Sequence, residues 1–117
     1  MKIALVRNKP GTSDETPPKG YDSWKEYWMD KQGVTDFGNC SVLDCKSKAE
    51  HGSHVEKVRN TEHGIVETHN VYITPLCAEH NNYRNREQFK VREKQLVLLR
   101  STNKLYSSEN PGFMTIL

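Results

Sequence analysis

Three cysteines and one histidine in this chain have the types and spacing of a metal-binding set. Four residues separate Cys40 from Cys45, and two residues separate Cys77 from His80. Structural zinc is held by four thiolate and imidazole ligands in a tetrahedron, and a Cys₃His set is one of the usual combinations. The first spacing fits a tight loop around an ion, and the second fits the first turn of a helix. The sequence therefore predicts one closed zinc site with these four ligands.

The cysteines also have other interpretations. Free cysteine is often a small buried hydrophobic residue with no further role. The close pair and the histidine that follows Cys77 favour zinc instead. A disulfide framework is disfavoured because the number of cysteines is odd and the sequence shows no signal-peptide pattern.

The composition predicts a single domain over residues 1–117 with a small core. Only 34% of the 117 residues are apolar, and such a core gains from a bound metal, because structural zinc contributes directly to the free energy of folding. The formal net charge is only +2, so overall charge does not select a partner. No apolar run approaches the roughly 18 residues that span a bilayer, so we expect a soluble, cytoplasmic protein with no membrane partner.

Before the first cysteine, local signals predict a strand, a loop and a helix. The apolar run 1–6 fits a strand that ends at Arg7, and 8–21 is rich in proline and glycine and fits a loop or tether. Ser23 followed by Glu26 has the capping-box spacing, and Gly33 fits a helix stop, which together predict a helix over 22–33.

Three aromatic residues of that helix share one face. Trp24, Tyr27 and Trp28 lie at positions i, i+3 and i+4. A stripe with this spacing is more often core than a platform for stacking bases. We therefore expect this face to pack on the zinc-centred part of the protein.

The zinc ligands flank a predicted β-hairpin and open a predicted helix. Side chains over 52–58 alternate as in a strand, and the β-branched run 65–74 fits the returning strand, which we expect to end at Pro75 because proline has no N–H to donate. A short helix is predicted from Cys77 to about Arg86. The run 89–92 fits another strand, 95–100 fits a strand or one helical turn, and 101–117 reads as a polar tail.

The arrangement of knuckle, hairpin and helix around one zinc resembles the treble clef of the HNH-endonuclease family. The similar stretch covers residues 40–82, a little over a third of the chain. The resemblance implies an α+β fold with a small zinc-stapled treble-clef (ββα-metal, HNH-like) core over 38–86, to which this chain adds an N-terminal helix and C-terminal strands. Cys40, Cys45, Cys77 and His80 occupy the structural zinc positions of that family.

The same resemblance implies a place for phosphodiester chemistry. His54 takes the position of the general base, which activates water while a divalent ion such as Mg²⁺ or Mn²⁺ stabilises the phosphate. Asn81 or Asn82 takes the position of the last ligand to that ion. Ser53 stands where the family usually has Asp or His, so the catalytic set is incomplete.

Two further positions of the family pattern have only approximate counterparts. By count, Tyr72 stands where the family has an asparagine, with Asn70 two residues away. Glu56 is a further oxygen donor on the first strand of the hairpin. His51, His63 and His69 have no partner spacing, and we expect them to lie in solvent.

A local excess of positive charge follows the zinc ligands. We expect its members to contact phosphates if the chain binds nucleic acid; they are Arg84, Arg86, Lys90 and Arg92. The alternative is that these side chains form a solvated polar face that binds no ligand.

The sequence is consistent with three functional hypotheses. The first is a zinc-stabilised HNH-like module that binds nucleic acid or a protein partner with weak or no cleavage. The second is an active metal-dependent endonuclease with His54 as general base. The third is a small interaction or inhibitor protein of the kind made by a phage or mobile element, which an exposed apolar patch would favour.

Overall fold

The computed structural model describes residues 1–12, 14–58, 70–82 and 85–101. Within these ranges the elements are β1 (Ile3–Asn8), α1 (Trp24–Gln32), β2 (His51–Lys57), β3 (Val71–Leu76), α2 (Ala78–Asn81), β4 (Phe89–Arg92) and β5 (Val97–Arg100). A 3₁₀ turn, Glu93–Gln95, joins the last two strands. The strands form one antiparallel sheet in the order β4-β1-β2-β3-β5. The predicted α+β class is confirmed.

Helix α1 begins and ends where its local sequence signals predict. The Ser23 hydroxyl accepts a hydrogen bond from the Glu26 N–H at 3.1 Å, which satisfies one of the unpaired donors at the helix start. Gly33 ends the helix with a φ of 70°, a left-handed conformation that only glycine adopts without strain. These caps fix where the helix begins and ends.

The sheet separates two clusters of buried side chains. On one side, which we call the metal face, Val6, Val55, Leu76 and Val91 pack with Cys40 and Cys77. On the other side, the helix face, Ile73 packs with Tyr27, Trp28 and Phe37. Successive side chains of a strand point to opposite faces, which is how the candidate metal ligands and helix α1 come to lie on opposite sides of one sheet.

The aromatic face of α1 is largely core. Trp28 is only 4% exposed, meets the Phe37 ring edge-on at a centroid distance of 5.6 Å, and donates its indole N–H to the Gln95 carbonyl at 2.9 Å. Gly52 of β2 lets the helix approach the sheet, since a Cβ there would lie 2.6 Å from the backbone of Trp24. The expected packing of Tyr27 and Trp28 is therefore seen, with Trp24 only partly buried.

The prediction that the second hairpin strand ends at Pro75 is wrong. Pro75 lies inside β3, opposite Gly52 in the register. Its carbonyl points away from β2 and accepts a hydrogen bond from the Ser41 N–H at 2.9 Å. In an antiparallel strand the N–H and C=O of one residue point the same way, so the N–H that proline lacks is not needed for pairing with β2.

Other element bounds differ modestly from the predictions. β1 runs to Asn8 rather than ending before Arg7, because Arg7 and Asn8 pair with Glu56 and Val55 of β2. Helix α2 is a single turn and ends at Asn81, well before Arg86. The start of the predicted strand 65–74, the tail 102–117, His63 and His69 lie outside the described residues. Among the described helices none is long and apolar enough to cross a membrane.

Candidate metal centre and polar cleft

A knuckle between α1 and β2 presents the first two cysteines. The Cys40 N–H donates to the Ser47 carbonyl at 2.9 Å, and the Cys45 N–H donates to the Val42 carbonyl at 3.1 Å. Asp44 takes a left-handed φ of 67° between them, a conformation that aspartate tolerates better than most residues. The chain thereby reverses within the four residues that separate the two thiols.

The other two ligands come from the junction of β3 and α2. Cys77 is the N-cap residue of α2 and His80 lies on its only turn. The cysteine follows directly from β3, which is paired to β2. The sheet therefore fixes where the helix starts, and the helix fixes the histidine relative to the cysteine.

All four predicted ligand atoms meet at one point of the metal face. The three sulfurs and one imidazole nitrogen of Cys40, Cys45, Cys77 and His80 lie within 4.8 Å of one another. The His80 Nδ1 is 3.2 Å from the Cys77 sulfur and 3.5 Å from the Cys40 sulfur, and the Cys45 and Cys77 sulfurs are 4.0 Å apart.

These separations fit zinc. Zinc–sulfur bonds of about 2.3 Å and zinc–nitrogen bonds of about 2.0 Å at tetrahedral angles place sulfurs about 3.8 Å apart and sulfur about 3.5 Å from nitrogen. Burial raises the pKa of the Cys40 thiol to about 12, so this thiol would need a cation beside it to become charged. The residues could hold one zinc ion in a closed site. With four protein ligands, the ion would have no open coordination position for water or substrate, so its role would be structural.

The surroundings of the metal centre tie it to β1 and β4. The Asn8 side-chain amide donates to the His80 carbonyl at 2.7 Å, and the His80 ring lies 5.4 Å from the Phe89 ring. Both contacts hold the single turn of α2, which is too short to be stable alone. Binding of a metal ion at His80 would therefore be coupled to formation of the sheet.

A polar cleft of about 850 Å³ opens beside the metal centre, where β1 ends and leaves the start of β2 without a neighbour on that side. Four parts of the chain supply its walls. The polar side chains that line it are Asn8, Lys9, Thr12, Glu15, His51, Ser53, His54, Asn81, Asn82, Asn85 and Arg86, with Trp24 as the aromatic member.

His54 reaches this cleft from the helix face in a fixed orientation. Its ring is 8% exposed, meets the Trp24 ring edge-on at 4.5 Å, and has its Nε2 3.4 Å from a carboxylate oxygen of Glu15. That contact lies in ion-pair range without the geometry of a hydrogen bond. Arg100 holds the same carboxylate with two hydrogen bonds of 2.9 and 2.8 Å.

The electrostatics of this cluster favour a neutral imidazole. Burial lowers the pKa of His54, the Glu15 carboxylate opposes that shift, and Arg100 adds to it. The hydrogen bonds from Arg100 lower the pKa of Glu15, so the carboxylate stays ionised. Near neutral pH the site therefore contains a neutral His54 beside a charged Glu15–Arg100 pair.

Ser53 and Asn81 reach the same cleft from the metal face. The Ser53 hydroxyl donates to the side-chain oxygen of Asn81. Neither group carries a charge, and a neutral hydroxyl and an amide are weak ligands for a hard cation compared with carboxylate. Within the described lining of the cleft, Glu15 supplies the single carboxylate, and Arg100 already holds it.

The remaining candidates for the ion shell lie elsewhere. Buried Glu56 forms ion pairs with Arg7 at 2.9 Å and Lys9 at 3.5 Å. The Asn70 amide donates to the Tyr72 hydroxyl at 3.3 Å, and neither of these two lines the cleft. His51 is exposed as expected, although it lies at the mouth of the cleft.

The predicted basic stretch does not form one patch with the cleft. Arg86 lines the cleft, whereas Lys90 and Arg92 are exposed on β4 and point away from the buried side of that strand. Arg84 lies outside the described residues. Of the named cations, Arg86 is the one that the structure brings to His54 and Asn81.

Sequence reasoning missed Glu15, Arg100, Asn8 and Lys9 as members of the site. Glu15 lies in a loop without periodicity, and Arg100 lies 85 positions later in the chain. No local pattern links two such residues, so their pairing becomes visible only in the folded chain.

A search of protein-family models, curated proteins and solved structures finds no match to this chain.

Proposed function

We propose that this chain is a zinc-stapled, HNH-like treble-clef module that binds nucleic acid in the cleft beside the zinc, with weak or no cleavage. The observation that carries the proposal is the position of the cleft. Its lining residue Asn81 directly follows the candidate ligand His80, and its lining residue Asn8 donates to the His80 carbonyl. The cleft also brings His54 and Asn81, the two implied catalytic positions, together with Lys9 and Arg86.

The treble-clef assignment is supported by the order of the parts. The knuckle of Cys40 and Cys45, the β2–β3 pair and α2 follow one another in the chain and meet at one cluster of ligand atoms. The zinc in this proposal has a structural role. It ties the start of α2 to the knuckle and thereby forms one wall of the cleft.

Binding of an anionic ligand is supported by the charges in the cleft. Lys9 and Arg86 line it, and Arg100 compensates the charge of Glu15. Lys9 shares the buried Glu56 carboxylate with Arg7, so that group of three keeps a net positive charge. Lysine and arginine side chains beside amide donors are the groups that hold phosphate. Cleavage is disfavoured because a divalent ion would meet only the neutral Ser53 and Asn81 on its side of the cleft.

Binding is tested with a fluorescently labelled oligonucleotide and zinc-loaded protein at low salt. Arg86→Ala should weaken binding several-fold, because it removes a cation from the cleft. Lys90→Ala is the matched control, since it removes the same charge from a surface outside the cleft, and it should change affinity by less than about twofold. Equal losses in both variants would contradict the cleft as the binding site.

An active endonuclease is the second candidate, and the presence of His54 and Asn81 in one cleft favours it. The test compares plasmid and single-strand cleavage by wild type and His54→Ala in Mg²⁺ or Mn²⁺. We expect little cutting by either protein. Robust cutting that vanishes in the variant, at unchanged zinc content, would establish the nuclease and overturn our preference.

A further inference from the structure

The geometry points to a more specific ligand for the cleft: one unpaired nucleotide, with its phosphate near Arg86 and Lys9 and its base edge near the amides of Asn81 and Asn85. The inference rests on the proposed function and narrows it. A single-stranded or unpaired nucleotide is expected to bind, and a regular duplex is not.

The size of the cleft fits one nucleotide. A cleft of about 850 Å³ falls within the range of pockets that enclose one small organic ligand, about 300–1,000 Å³. In a duplex the bases are stacked and paired, and a base enters a concave site only after it leaves the stack. A concave cleft of this size therefore suits a base that is already unpaired.

The asparagine side chains that line the cleft fit the edge of a base. Four asparagines line the cleft: Asn8, Asn81, Asn82 and Asn85. An amide offers both donors and an acceptor, as the Watson–Crick edges of the bases do. The oxygen of Asn85 accepts from the Glu87 N–H at 2.9 Å and that of Asn81 accepts from Ser53, which fixes both amides and leaves their NH₂ groups as donors.

The number of charges in the cleft limits the number of phosphates that it can bind. Lys9 shares the Glu56 carboxylate with Arg7, so that group of three keeps a net charge of +1, and Arg100 compensates Glu15. Together with Arg86 this leaves a net charge of about +2, so the ligand that the cleft suits carries one or two phosphates rather than a long backbone. For a single strand, two neutralised phosphates give a slope of log affinity against log salt of about −1.4. An extended groove that contacts six or more phosphates would give a much steeper slope.

The test measures binding of a labelled single-stranded oligonucleotide, competed by the duplex of the same sequence and by each of the four mononucleotides. We expect the single strand to bind at least 10-fold tighter than the duplex, and at least one mononucleotide to compete. Tight binding of the duplex, or no competition by any mononucleotide, would overturn the inference and leave the proposed function standing. No binding of either nucleic acid would overturn both.

Two variants test the orientation of the nucleotide. Asn85→Ser keeps an oxygen that can accept from the Glu87 N–H but removes the amide, so it should change the preference among the four homopolymers. Arg86→Ala should weaken all four equally, because a phosphate contact carries no base information. An unchanged base preference in Asn85→Ser, in protein with wild-type stability and zinc content, would contradict the assignment of base contacts.

Discussion

Trp28 offers a quantitative test of how the helix is held on the sheet. Its side chain is 4% exposed, and a buried aromatic ring of this kind removes about 150–250 Å² from water. At about 25 cal/mol per Å² this burial is worth about 4–6 kcal/mol, and a compact unfolded chain reduces that figure by up to about a third. Trp28→Ala should therefore lower the free energy of unfolding by about 3–5 kcal/mol.

Trp28→Phe separates packing from hydrogen bonding at the same position. It keeps most of the ring, including an edge-on contact with Phe37, but removes the indole N–H that the Gln95 carbonyl accepts at 2.9 Å, so this carbonyl keeps only the hydrogen bond from the Thr74 hydroxyl at 3.0 Å. We expect a loss of about 0.5–1.5 kcal/mol, because that is the net contribution of a typical hydrogen bond whose acceptor keeps another donor. Val34→Ala, at a residue that is 42% exposed, is the control and should change stability by less than about 0.5 kcal/mol.

The assay is urea denaturation of zinc-loaded protein, with the slope m compared among variants so that a change in the unfolded state is not mistaken for a change in stability. Domains of this size have total stabilities of about 5–15 kcal/mol, so Trp28→Ala should come close to unfolding a marginal chain. A loss below about 1 kcal/mol together with lost ligand binding would refute the reasoning and make Trp28 part of a contact surface.

The remaining predictions concern Gly52, His54 and the metal. Gly52→Ala should destabilise by about 1–3 kcal/mol, since its Cβ would lie 2.6 Å from the Trp24 backbone, and a stability equal to wild type would contradict the close helix–sheet contact. Stability should fall as pH drops below about 6.5, because burial lowers the pKa of His54 and the unfolded chain then binds more protons than the folded one. His54→Gln should flatten the plot of stability against pH just below pH 6.5, and an unchanged slope there would exclude His54 as its cause. Cys77→Ser should lose the metal and most of the cooperative unfolding transition, whereas His51→Ala should retain both.

Local chemistry explains what could be predicted from the sequence. The bounds of α1 follow from Ser23 and Gly33, each of which acts on backbone groups a few residues away. The metal-binding set follows from spacing. A loop of four residues brings Cys40 close to Cys45, and one helical turn brings Cys77 close to His80, so each pair can bind the same ion. Such signals need no knowledge of the rest of the fold.

Tertiary geometry explains what could not be predicted. Whether Pro75 interrupts the hairpin depends on which side of β3 faces β2, and the sequence does not state that register. The Glu15–Arg100 pair joins a loop to the last strand and places a carboxylate beside His54. Its two members are 85 positions apart in the chain, so no local motif predicts their contact. The same holds for the cleft, whose existence depends on where β1 ends beside β2.

The proposed module and its cleft both depend on the zinc centre, and X-ray absorption at the zinc edge tests this centre most directly. On purified protein with one zinc per chain, we expect a shell of three sulfurs at about 2.3 Å and one nitrogen at about 2.0 Å from Cys40, Cys45, Cys77 and His80. A shell dominated by oxygen and nitrogen, or a chain that folds fully with no metal, would contradict it.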